Sequence, residues 1–131
     1  SEDRVIAQLA EELEDRYGQL PDEVEALFLC AQIRWRAGQL GASQVQATAQ
    51  GAGEHYKLTL ALTLDGTEGG IDPTTLVRWV AERPQQARLT ASNRLIWTPL
   101  PKQIARAEGD PARAALNFCE TLCALQPERS D

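Results

Sequence analysis

The sequence predicts an α+β fold, and three observations carry that prediction. Two stretches with a helical apolar period open the chain and meet at a glycine–proline junction. Two later stretches alternate apolar and polar residues with a period of two. Asp-Pro pairs at positions 72 and 110 each mark a helix start. The expected order is an N-terminal helical hairpin, two antiparallel β-hairpins flanking a helix, and a C-terminal helix. No strand–helix–strand crossover with a glycine-rich turn is visible, so an α/β parallel sheet is not expected.

The first helix is read from near Asp3 to Tyr17, because Ile6, Leu9, Ala10, Leu13 and Tyr17 recur at steps of three and four. Gly18 supplies the left-handed residue that commonly closes a helix. Pro21 suits the first turn of the next helix, where its missing N–H costs nothing. Asp22, Glu23 and Glu25 lie at the positive end of that helix dipole. Val24, Leu27, Phe28, Ala31 and Trp35 continue an inward stripe until Leu40-Gly41.

Beyond Gly41 the period changes to two. Val45, Ala47 and Ala49 alternate with glutamines and Thr48; after Gly51-Ala52-Gly53, Tyr56, Leu58, Leu60, Leu62 and Leu64 alternate with Lys57, Thr59, Ala61 and Thr63. This is the pattern of an antiparallel hairpin with one face on the core. Asp65 to Gly70 reads as a loop. Asp72 and Pro73 then open a third helix as cap and first residue, with Leu76, Val77 and Val80 inward and Pro84 as its stop. Arg88-Leu89-Thr90, a Ser92-Asn93 turn and Arg94 to Trp97 form a second hairpin, which Pro99 and Pro101 end. Asp110-Pro111 starts the last helix, with Ala115, Phe118, Leu122 and Leu125 as its buried stripe and a frayed tail after Gln126.

At 131 residues the chain reads as a single domain, 1–131, large enough to need no disulfide or metal. Its longest apolar run, Ala26 to Ala31, is far short of the roughly 20 residues of a membrane span. No basic region followed by an apolar stretch marks a signal peptide. Three cysteines without framework spacing suggest free thiols in a reducing compartment, hence a cytoplasmic protein. The net charge of −6 works against non-specific binding to nucleic acid. Acids crowd the first 25 positions, which fits either a solvated helix or a face for a basic partner.

Candidate sites are few. Glu12, Asp15 and Arg16 share a side of the first helix beside its apolar stripe. The plain account is a solvated face with a Glu12–Arg16 pair; the functional one is a charged docking surface. Cys119 and Cys123 lie four apart, but a metal needs further ligands and the chain offers only His55 and Cys30, so buried thiols are expected. His55 sits at a strand start with no nucleophile in context. Asp65-Gly66-Thr67-Glu68 lacks calcium-loop spacing, and no phosphate-cradling glycine motif occurs. No catalytic residue and no cofactor is therefore assigned. Among Trp35, Trp79 and Trp97, Trp79 is expected to be partly exposed.

The run Glu12-x-x-Asp15-Arg16-Tyr17-Gly18-x-Leu20-Pro21-x-Glu23-Val24 resembles the TRCF domain of bacterial transcription-repair coupling factors. A second block supports it: Ile71-Asp72-Pro73 through Leu76, then Pro84-Gln85-Gln86-x-Arg88-Leu89 and Arg94-Leu95. The resemblance runs from about Glu11 to Leu125 and weakens at 41–54 and 99–110. It implies a regulatory domain rather than an enzyme, although the parent protein would be an ATP-dependent DNA translocase. By the same resemblance, the domain folds back on a UvrB-like module and masks its UvrA-binding surface until stalled RNA polymerase is engaged. Glu12, Asp15 and Arg16 match the family's charged contacts across that interface, and Tyr17 stands where phenylalanine is common. The chain begins at Ser1 and contains no methionine, so either an initiator has been removed or this is a piece of a longer polypeptide; the second fits the resemblance better, as a C-terminal fragment.

Two other functions compete. One is a nucleic-acid-binding accessory domain using Arg88, Arg94, Trp97, Lys102 and Arg106. The other is a small hydrolase or ligand-binding domain, whose mark would be a deep polar pocket holding His55 or paired carboxylates; none is expected.

Overall fold

Helix α1 (Glu2–Tyr17) ends where the sequence ends it. Gly18 adopts φ 81°, and its N–H still donates to the Glu14 carbonyl at 2.8 Å. The computed structural model describes residues 2–18, 21–65 and 70–126. Leu20, the Tyr17 side chain, the loop at 66–69 and the tail from Pro127 lie outside the described parts. Helix α2 (Asp22–Gln39) starts one residue later than expected, because Pro21 is its N-cap, at φ −59° and ψ 150°. The Pro21 carbonyl accepts from Val24 and Glu25 N–H at 3.0 and 3.1 Å. α1 packs against α2, and α2 against the last helix.

The strands are β1 (Gln44–Gln50), β2 (Lys57–Thr63), β3 (Ala87–Leu89) and β4 (Arg94–Trp97). Both hairpins form as read, but they are not separate. They join in one four-stranded antiparallel sheet of order β1-β2-β4-β3. The join sets Leu60 opposite Trp97 and Leu62 opposite Leu95. Those side chains share one face by the period of two, so pairing β2 with β4 pools the apolar faces of both hairpins. β1 is an edge strand, and the sheet's outer face carries Gln46, Thr48, Thr59, Arg88 and Arg94.

The inner face is covered by α3 (Pro73–Ala81) and α5 (Pro111–Cys123). Both start at an Asp N-cap with Pro next: Asp72 accepts from Thr75 N–H at 3.0 Å and Asp110 from Ala112 N–H at 3.1 Å. Leu40, Leu58, Leu60, Leu62, Leu95, Phe118, Cys119 and Leu122 are fully buried. Each such large apolar side chain contributes roughly 1.5–3 kcal/mol relative to exposure.

Four expectations are corrected. Trp79 is buried, at 6% exposure, because it packs on Phe118 with ring centroids 6.0 Å apart. Val77, its neighbour by two residues, points outward instead, since a helix cannot bury Leu76, Val77, Trp79 and Val80 on one stripe. Leu27 is 71% exposed, because α1 alone is too narrow to cover the whole N-terminal stripe of α2. A short helix, α4 (Pro101–Arg106), occupies the stretch read as broken by prolines. Its start is held by Gln103, whose Oε1 accepts from Leu100 N–H at 2.7 Å. Within the described residues, no helix is long and apolar enough to cross a membrane.

Candidate protein-docking site

α1 is amphipathic, and its two sides do different things. Ile6, Ala10 and Leu13 are half-buried toward α2. Steps of four, three and four place Val5, Leu9, Glu12 and Arg16 on an adjacent stripe, flanked by Asp15. Val5 and Leu9 are 61% and 47% exposed, and Glu12, Asp15 and Arg16 are all exposed. The surface is therefore apolar toward the start of α1 and charged toward its end.

The three charged residues are brought together, as expected, but the Glu12–Arg16 pair is not formed. Among the described residues, none of the three has a hydrogen-bond or ion-pair partner. Their donors and acceptors are thus available to another molecule. Asp15 also stands in the last turn of α1, where the negative end of the helix dipole disfavours a carboxylate. Arg16, in the same turn, is favoured there. Local stability explains the arginine and not the aspartate.

His55 ends a short 3-10 turn, Gly53–His55, rather than beginning a strand, and is exposed. Cys119 is buried, Cys123 is half-buried with its thiol 3.6 Å from the Arg36 carbonyl, and Cys30 is exposed. Burial, then the neighbouring Cys123 and Glu120, push the Cys119 thiol from 9.0 up to about 12, with Arg36 opposing. A thiol held protonated in this way is a core residue, not a nucleophile. Among the described residues, no group of three or more His, Cys, Asp or Glu is placed to hold a metal.

One open groove carries several carboxylates. It lies between α1, α2 and the start of α5, measures about 450 Å³, and is lined by Glu14, Asp22, Glu25 and Asp110. Asp110 is already occupied by capping α5 and by Arg113 at 3.7 Å. His55 is not part of this groove. The basic residues of the competing reading are divided. Arg88 and Arg94 stand on the outer sheet face, and Arg94 is held by Gln46 at 2.8 Å. Lys102 and Arg106 belong to α4, which packs on α5 across the inner face.

Comparison with known families gives one result of direct bearing. The family model of the TRCF domain matches residues 1–59. The match spans α1, α2, β1 and the start of β2, and it contains Glu12, Asp15 and Arg16. It bears out the resemblance carried by the opening run; the second block, from Ile71, lies beyond the matched residues. No curated protein matches the chain.

Proposed function

Taking the TRCF domain matched over residues 1–59 as the premise, we propose that this chain is a regulatory protein-interaction domain of a transcription-repair coupling factor. In this reading the described residues act as one domain without catalytic chemistry of their own. It docks through the outer stripe of α1 on a UvrB-like module of the same protein and masks the surface that recruits UvrA. Engagement with stalled RNA polymerase releases it.

One observation carries the reading: Glu12, Asp15 and Arg16 are exposed, adjacent and unused within the described fold. The physics suits a latch. A tethered domain meets its partner surface at high effective concentration, so modest contacts keep it closed. Charged pairs give orientation and specificity without extreme affinity, and exposed Val5 and Leu9 add apolar area beside them. A competitor that binds only the open form then shifts the population.

Exchanging the charges, Asp15→Arg with Arg16→Glu, tests this against the isolated UvrB-like module by calorimetric titration. The variant is expected to keep its circular-dichroism spectrum and lose binding. Retained binding refutes the reading.

A further inference from the structure

A second site sits away from α1, between α3, β4, α4 and α5. It is a pocket of about 160 Å³ that shares no residue with the docking stripe. Trp79 and Trp97, each 6% exposed, line its apolar part. Arg83 stands on one side with its guanidinium 4.5 Å from the centre of the Trp79 ring and its Nη1 donating to the Trp79 carbonyl at 3.1 Å. Arg106, at the end of α4, also lines the pocket.

The polar groups are pre-oriented. Gln103 Oε1 accepts both from Leu100 N–H, at 2.7 Å, and from Gln86 Nε2, at 2.9 Å. That fixes which end of the Gln103 amide is spent and leaves its NH₂ as a free donor. Asn117 adds a second side-chain amide to the lining. In a chain of net charge −6, this pocket has two arginines and no carboxylate among its lining residues. Arg106 has no ion-pair partner among the described residues, and Arg83 has only Glu82 at 3.9 Å.

Two guanidinium groups cannot shed their charge, so a cleft that gathers them is stabilised by an anion between them. The volume is well below that of a nucleotide or cofactor site, which starts near 300 Å³. The indole walls favour methylenes, and the arginine forks favour a planar carboxylate. We propose that this pocket binds a carboxylate on a short apolar stem, namely a glutamate side chain of a partner peptide.

The test is a heteronuclear NMR titration of the full chain with three probes: acetyl-Ala-Glu-Ala-amide, acetyl-Ala-Gln-Ala-amide and inorganic phosphate. The Glu peptide is expected to shift the Trp79 and Trp97 indole N–H signals saturably. Arg106→Ala, or the Gln peptide, should weaken that binding by about tenfold or more, since the charge-assisted bonds are lost. Lys102→Ala, a cation on the same helix but not in the pocket lining, should leave it unchanged. Arg106→Lys separates charge from fork geometry, with intermediate affinity expected. No saturable shift, equal binding of the Gln peptide, or saturation by phosphate alone overturns the proposal.

Discussion

Trp97 of β4 and Phe118 of α5 lie ring on ring, with centroids 4.4 Å apart and planes 6° from parallel. The contact joins the last helix to the strand that unites the two hairpins. Trp79 reaches the same phenylalanine from α3, so Phe118 is common to three elements. Removing it takes a ring contact from both tryptophans and leaves a cavity between the three elements.

Phe118→Ala should therefore cost about 3–5 kcal/mol. Urea unfolding followed by tryptophan fluorescence measures it. A loss under about 1 kcal/mol would show that the stack is not central.

Asp15 gives a prediction in which stability and binding move in opposite directions. Asp15→Asn removes a carboxylate from the last turn of α1 and should stabilise the fold by about 0.3–1 kcal/mol at low salt. The same change should weaken docking to the UvrB-like module. Thermal unfolding and calorimetric binding on one sample check both signs; a destabilised variant contradicts the dipole argument.

The Cys119 thiol yields a pH dependence. Its folded value, about 12, lies above the ordinary 9.0, so the folded state holds a proton that the unfolded state releases first. Stability from this group is fully present below pH 9.0 and declines as pH rises toward about 12. Cys119→Ala should flatten that part of the stability–pH profile. A thiol reagent at neutral pH should modify Cys30 first and Cys119 only on unfolding.

Gly51 precedes the turn between β1 and β2 at φ 77°, and a Cβ there would collide with the His55 carbonyl. Gly51→Ala should cost more than about 1 kcal/mol, through both the left-handed backbone and the clash. Gly53→Ala, also at positive φ but with open space around it, should cost less. Chemical denaturation of the pair discriminates them; equal costs would remove the clash from the account.

What the sequence reveals follows the range of the interaction. The Asp-Pro starts at 72 and 110 and the Gly18 stop are local, and they are found where expected. The phase of α1 likewise places Glu12, Asp15 and Arg16 outside. The β2–β4 pairing is not legible, because alternation says which face is apolar and nothing about which strand lies alongside. Trp79 is buried against expectation, although a signal for burial is present: it stands three residues from Leu76, on the buried stripe, whereas Val77 does not. The 160 Å³ pocket gathers Arg83, Gln103 and Arg106 from separate elements, and no spacing along the chain announces it.

The order of the strands also dictates an order of events in time. β2 and β4 are neighbours in the sheet, yet α3, β3 and their connections separate them along the chain. Closing that segment costs more entropy than forming either local hairpin, so the central pairing is late. A polypeptide emerging N-terminus first exposes α1 and α2 long before α5 arrives to cover Leu40 and Leu58. The outer stripe of α1 is therefore synthesised well before Phe118 and Leu122, which complete the core beneath the sheet.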